Sequence, residues 1–262
     1  MRRLTTIFLA LSFVLLLTGH TKWGRDGSWG RADRAWGRIE EAVWTPNDLP
    51  SIIDRWDVDV GVTWSLVGAD SAISSWTGRI NGTDLAQGTG VNQPFLMAGQ
   101  INGHPAVVFD GTNDYMQAAY GVYTQPLTVI IVCTEPDESV AFESLFDDIT
   151  NGVSFTQRTG LNQYFAHAGA SLVGGTISAG TWRIWTIVFN TTSSFWRRDG
   201  VEKASGDAGT RDMDGLTLGT NRTLARFSDI SVTDLIVCDA TLTTAEMQKV
   251  ERWLNVSRGG IY

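Results

Sequence analysis

The alternation of hydrophobic and polar positions changes character twice along this chain. Residues 4–17, LTTIFLALSFVLLL, are apolar almost without interruption and follow Arg2 and Arg3. A charged start and a short apolar core read as the beginning of a signal peptide, and the run is shorter than the about 20 residues of a membrane-spanning helix. The junction that follows, LTGH at residues 17–20, carries no A-x-A cleavage pattern. Three readings stay open: an uncleaved anchor touching the membrane through residues 4–19, a signal peptide with a poor site, and an arm packed into an assembly. Residues 22–38, KWGRDGSWGRADRAWGR, then repeat Trp-Gly-Arg at Trp23, Trp29 and Trp36. Spacings of six and seven residues match neither a strand nor a steady helical stripe, and each glycine weakens a helix.

From Trp44 the rhythm shortens. Thr45 and Pro46 suit the start of one short helical turn, which Pro50 limits. Turn dipeptides then recur at Asn81-Gly82, Asn102-Gly103, Asp110-Gly111, Asn151-Gly152 and Asp199-Gly200. Between them stand strand-like runs: PAVVF (105–109), LTVIIVC (127–133), GVSFTQ (152–157), NQYFAHA (162–168), TWRIWTIVFN (181–190), SFWRRDG (194–200), LTLG (216–219) and ISVTDLIVCD (230–239). Many short strands with regular turns and no βαβ alternation predict an all-β antiparallel sandwich or barrel. In WRIWTIVF one face carries Trp182, Ile184 and Val188 and the other Trp185, Ile187 and Phe189. A strand apolar on both faces needs a second cover, from a loop, the N-terminal arm or another subunit. SFWRRDGVEKASG predicts a tight hairpin on Asp199-Gly200, with Arg197, Arg198, Glu202 and Lys203 exposed. The chain closes with a helix: Thr243 and Glu246 form a capping box, Met247, Val250 and Leu254 an apolar stripe, and Gly259-Gly260 follow its end.

Composition supports the β reading, since 18% charged residues is low and 28 glycines and 11 tryptophans are many. Charge divides the chain. Residues 1–40 carry a net +4, which leaves −12 of the total −8 for the remainder. An acidic body repels phosphate, which excludes nucleic acid as a partner. Cys133 and Cys238 lie in apolar strand-like runs without CxxC spacing, and read as buried thiols rather than metal ligands.

The run around Trp76, GRINGTDLAQ, is followed by Asn92-Gln93-Pro94 and INGHPAVVFDGTNDYM. Together with the closing DLIVCDATLTTAEMQKVERWL, these motifs resemble laminin-G-like, concanavalin A-like jelly-roll domains. The resemblance spans about Trp44 to Trp253, and the leading WTPNDLPSIIDRWDVD looks like the version found in tailed-phage structural proteins and bacterial surface proteins. It implies a jelly-roll sandwich over 44–262 with a C-terminal helix, preceded by an extended arm over 1–43. Function does not follow from this fold, which carries lectins, adhesion modules, hydrolases and inert structural domains alike.

Chemistry is sparse. Glycoside hydrolases on this fold often carry Glu-x-Asp-x-x-Glu, because retaining chemistry needs two carboxyls about 5 Å apart. The nearest stretch is Glu135-Pro136-Asp137-Glu138, where proline breaks the spacing. His20, His104 and His167 are scattered, and no GxSxG, Walker loop or HExxH occurs. No enzyme is expected, and no certain cofactor. Calcium has two candidate places: GTNDY, with Asp110, Asn113 and Asp114, where Asp110 reads rather as a turn cap beside Gly111, and the stronger pair Asp147 and Asp148. Tyr164 and Trp196 are candidate exposed aromatics for a sugar. Trp23, Arg25, Trp29, Arg31, Trp36 and Arg38 combine interface-prone residue types and read as partner-docking positions. The expected protein is a virion surface or decoration protein that docks through this arm to other virion proteins or copies of itself, as a homo-oligomer. The alternative is a secreted or membrane-anchored bacterial module binding cell-surface glycans, located outside the cell.

Overall fold

The computed structural model describes residues 44–67, 70–137 and 141–262. The arm positions Trp23, Arg25, Trp29, Arg31, Trp36 and Arg38 and the apolar run 4–19 lie outside them. Among the described residues no helix is long and apolar enough to cross a membrane.

The body is an all-β antiparallel sandwich. A single 3-10 turn, Pro46–Asp48, leads into β1 (Ile52–Asp57), where the sequence suggested only a helical turn. There follow β2 (Val62–Val67), β3 (Asp70–Thr77), β4 (Asp84–Ala86), β5 (Phe95–Ile101), β6 (His104–Asp110), β7 (Met116–Tyr123), β8 (Leu127–Thr134) and β9 (Glu143–Asp147). The chain continues through β10 (Ser154–Arg158), β11 (Gln163–His167), β12 (Ser171–Gly174), β13 (Trp182–Phe189), β14 (Ser194–Arg198), β15 (Val201–Gly206), β16 (Met213–Leu218) and β17 (Asp229–Cys238), and ends in α1 (Thr244–Ser257). One layer runs β15-β14-β13-β8-β17, with β6 and β1 sharing the far edge of β17. The other runs β12-β11-β10-β9-β16-β7-β4-β3. A bridge between Ala72 and Phe95 joins the layers at one side.

Strand periodicity places the core. Along β8 and β13 the residues Leu127, Val129, Ile131, Cys133, Trp185, Ile187 and Phe189 point between the layers and meet Leu145, Phe146, Phe155 and Tyr164. Their neighbours Ile130, Val132, Ile184 and Val188 point outward, and Met247, Val250 and Leu254 of α1 cover them. Among the described residues, the helix is therefore the second cover that the two-faced strand requires. Each of its three buried apolar side chains contributes about 1.5–3 kcal/mol. The capping box is in place: Thr243 Oγ1 accepts from Glu246 N at 3.2 Å and Glu246 accepts from Thr243 N at 2.8 Å.

The hairpin on Asp199-Gly200 has both residues at positive φ, 53° and 76°, as a type I′ turn requires. Its arginines are not exposed as expected. Arg197 pairs with buried Glu251 of α1 at 2.9 Å, and Arg198 with buried Glu135 at 3.1 Å. Cys133 and Cys238 are free and buried on opposite faces of neighbouring strands, in separate clusters.

Two carboxyls are held protonated near neutrality. Burial, and then the Asp137 carboxylate, push Glu143 up to about 8, while burial and then Asp110 push Asp114 up to about 7. Unfolded carboxyls titrate near ~4, so between there and these raised values the folded state holds protons that the unfolded state has lost. Stability falls as pH rises through that window, by up to ~1.4 kcal/mol per pH unit for each fully shifted group. We therefore expect a lower melting temperature at pH 8.5 than at pH 5.5. Glu143→Gln, which keeps an oxygen for the 3.1 Å bond from Gln157 Nε2, should reduce the drop. A melting temperature that rises over this range would contradict the assignment.

Candidate functional site

The outer face of β10, β11 and β12 forms the floor of an open cleft. Antiparallel register aligns three rows across these strands: Ser154, His167 and Ser171; Thr156, Phe165 and Val173; Arg158 and Gln163. Alternation sends the intervening Phe155, Tyr164, Ala166 and Leu172 into the core. The floor is thus polar at one end, apolar in the middle and cationic at the other. A wall rises from the β16–β17 loop, with Asn221, Arg222, Thr223 and Arg226 lining the cleft. The enclosed volume is about 440 Å³, within the range of small-molecule sites.

The wall is built from its own side chains. Asn221 Nδ2 donates to Thr223 Oγ1 at 2.7 Å and its Oδ1 accepts from Ala225 N at 2.9 Å. Leu224 sits at φ 52°, a conformation that costs a non-glycine residue about 1–2 kcal/mol. The loop base closes through Ser228 N donating to Gly219 O at 2.9 Å.

Four arginines meet at the cleft. Arg222 donates through its backbone N to Asp147 Oδ2 at 3.0 Å and pairs with the same oxygen through Nη1 at 3.4 Å. Arg211 Nη1 lies 3.4 Å from His167 Nε2, and His167 Nδ1 lies 3.1 Å from Ser171 Oγ. Burial, and then Arg211, hold the imidazole below its usual range. A neutral ring that accepts at Nε2 carries its proton on Nδ1 and donates it to Ser171. Gly152 makes room for this end: at φ 83° it carries no Cβ, and one placed there would press on the guanidinium of Arg222 and lie 2.9 Å from Arg211 Nη1. At the other end, Arg226 and Arg158 stand over the ring of Phe142, with Cζ 4.6 and 5.5 Å from its centroid. Phe142 meets Phe165 edge-to-face at 6.4 Å.

The residues picked out by sequence fall elsewhere. Tyr164 and Trp196 are both 0% exposed, so the expectation that they offer a sugar-stacking surface is corrected. They belong to an internal aromatic cluster in which Tyr164 lies 4.6 Å from Trp185, and Trp196 5.4 Å from Phe155. Tyr164 Oη donates to Glu135 Oε2 at 3.0 Å, and Glu135 also binds Arg183 at 2.7 Å. The outward aromatic of the same strand is Phe165, one residue on. Asp147 faces the cleft as the partner of Arg222. Asp148 turns away and accepts from Asn151 N at 2.9 Å and from Gly152 N. Burial pushes its carboxyl up to about 6. Among the described residues no group of three His, Cys, Asp or Glu is placed to share a metal ion, so calcium finds no third acidic ligand beside Asp147 and Asp148. Asp110 caps its turn, accepting from Thr112 N at 2.8 Å and Asn113 N at 3.2 Å.

No family model and no curated protein sequence matches the chain. Solved structures do match. Trypanosoma rangeli sialidase in complex with sialic acid superposes with a TM-score of 0.55 at 14% identity, covering 81% of this chain and 34% of that one. The receptor-binding domain of botulinum neurotoxin D gives a TM-score of 0.56 at 10% identity, covering 80% of this chain and 54% of that one. The serotype D ligand-binding domain, solved in complex with N-acetylneuraminic acid, gives 0.55 at 9% identity, covering 80% and 52%. The chain thus spans about a third of the sialidase and about half of the toxin domain. At these identities the likeness is one of fold. It nevertheless corrects one expectation: sialidases are enzymes, so lacking Glu-x-Asp-x-x-Glu does not exclude catalysis by a protein containing such a sandwich. Sialidase chemistry does not transfer to this chain with the fold.

Proposed function

We propose that this protein is a glycan-binding module and that the cleft over β10–β12 is its binding site. The observation that carries this reading is the cleft itself: about 440 Å³, open to solvent, with Phe142, Phe165 and Val173 beside Arg158, Gln163, Ser171 and Arg226. A sugar ring presents an apolar C–H face and a hydroxyl edge, which an apolar strip between polar rows can meet together. Two of the fold's neighbours were solved with sialic acid or N-acetylneuraminic acid bound, which supports the class of ligand. The arginine-flanked apolar run at residues 4–17 suits export or anchoring, which would place the module outside the cell. Display on a virion rests on the Trp-Gly-Arg repeats, and nothing in the described body favours it. A glycan array probed with the full-length protein tests the reading. Binding that weakens about 10-fold or more in Phe165→Ala, the size of effect expected from losing a pocket anchor, is the expected result. An array blank for the wild-type protein would sink it.

A further inference from the structure

The cleft is cationic on a protein whose net charge is −8. Asp147 is the one acidic side chain among its lining residues, and Arg222 already engages it. Arg211 leans on His167, which remains neutral. Arg158 and Arg226 have no carboxylate partner among the described residues, yet both are drawn to the face of Phe142 at the cationic end of the floor. Elsewhere in the body the arginines near the core find acids: Arg55, Arg183, Arg197, Arg198 and Arg258 all do. Two guanidiniums without a carboxylate partner among the described residues, in a concave site, have a consequence for selection. A neutral ligand settling there would strip water from two cations without replacing it, whereas an anion restores charge-assisted bonds from the planar donor fork.

We propose that the cleft selects an acidic sugar, with a carboxylate or sulfate on the ring held by Arg158 and Arg226 and the ring's apolar face lying on Phe165 and Val173. This rests on the glycan-binding reading above and names the ligand class for the same site. Discrimination comes chiefly from the penalty on the neutral analogue, because both sugars make the same apolar contact. The arginines act here as recognition groups that touch the ligand directly.

Calorimetric titration of the full-length protein tests it, using 3′-sialyllactose, a glucuronate-terminated disaccharide and lactose 3′-sulfate, each beside its neutral parent. At least one acidic sugar should bind about 10-fold or more tightly than its parent, and the gap should narrow between ~50 mM and ~500 mM salt as screening grows. Preference for the sulfated or for the carboxylated sugars would identify the source of the anion. The double variant Arg158→Gln/Arg226→Gln should lose the preference, the acidic sugar weakening and the neutral parent, no longer penalised by the two cations, binding more tightly than in the wild type. Both side chains lie at the surface of the cleft rather than in the core, and an unchanged melting curve confirms that the fold is kept. Arg252→Gln, on the exposed side of α1, should leave every affinity unchanged. Equal affinity for acidic and neutral sugars overturns the inference while the glycan-binding reading stands, as does an array that retains neutral glycans alone. An array blank for every glycan removes the reading and this inference with it.

Discussion

Replacing Arg258 by alanine is expected to destabilise the protein by about 3–5 kcal/mol, the cost of stripping the partner from a buried charge. The side chain is 2% exposed and sits just past the end of α1. Its guanidinium donates to Asp234 Oδ2 at 2.6 Å and Oδ1 at 2.9 Å, to Asp57 Oδ1 at 2.9 Å, and to Asp59. One residue thus ties the C-terminal helix to β17 and to the end of β1. Burial pushes the Asp234 carboxyl up and Arg258 draws it back. Without Arg258, the fully buried Asp234 keeps only Arg55 among the described residues, at 4.0 Å. Urea unfolding should show the midpoint falling with little change in slope. Asp234→Leu combined with Arg258→Met should recover much of the loss, since apolar replacement of a buried pair is often tolerated. A loss below about 1 kcal/mol for Arg258→Ala, the scale of an exposed pair, would mean that the network is solvated in solution.

Gly209→Ala should cost about 3 kcal/mol or more. Gly209 has φ 98°, a region that costs an alanine about 1–2 kcal/mol by itself. A Cβ there would also press into the carbonyl of Ala168 and lie 2.5 Å from Ala170 N. These are backbone atoms in the turn between β11 and β12, and they cannot swing aside. The segment must lift, breaking bonds worth about 1 kcal/mol each: Ala168 N and Ala170 N to Ala208 O at 2.6 and 3.0 Å, and Arg211 N to Ala168 O at 2.9 Å. The bonds from Gln125 Nε2 to Gly209 O and Arg211 O, at 3.1 and 2.9 Å, hold the same segment. For a body of this size the melting temperature should drop by roughly 6–12 °C. The shift also pulls Arg211 from His167, so the cleft should loosen along with the fold. A melting temperature within about 2 °C of wild type, less than 1 kcal/mol on this scale, would contradict the geometry.

Much of the architecture was legible because local chemistry and global packing agree. Asp199-Gly200 dictates a type I′ hairpin whatever surrounds it. Thr243 and Glu246 cap a helix from four residues alone, and the apolar residues on both faces of β13 announced two covers. The strands from 52 to 101 were harder to see. VTWSLV and DSAISSWT mix small polar residues with aromatics, and their state is settled by pairing, with each other locally and of β3 with β4 and β5. The cleft was least legible. In QYFAH, aromatic residues sit at both parities, so sequence alone does not say which faces out; the register with β10 and β12 sends Tyr164 in and Phe165 out. A usable signal was present in the small Ala166 beside Tyr164, since paired small and large inward residues fill a tapering core. The arginines carried no such signal. Arg158 closes a strand, while Arg211, Arg222 and Arg226 lie more than fifty residues on, in loops, and only the folded topology brings them to one cleft.

The measurement that tests the central claim most directly is a chemical-shift map of the full-length, isotope-labelled protein titrated with the tightest-binding glycan of the array. We expect saturable shifts gathered on residues 154–173 and on 221–226, with the side-chain resonances of Arg158, Arg226 and Phe165 moving most. Shifts gathered instead on the edge hairpin that exposes Trp64 and Leu66, or spread without saturation over the surface, would contradict the assignment of this cleft as the glycan site.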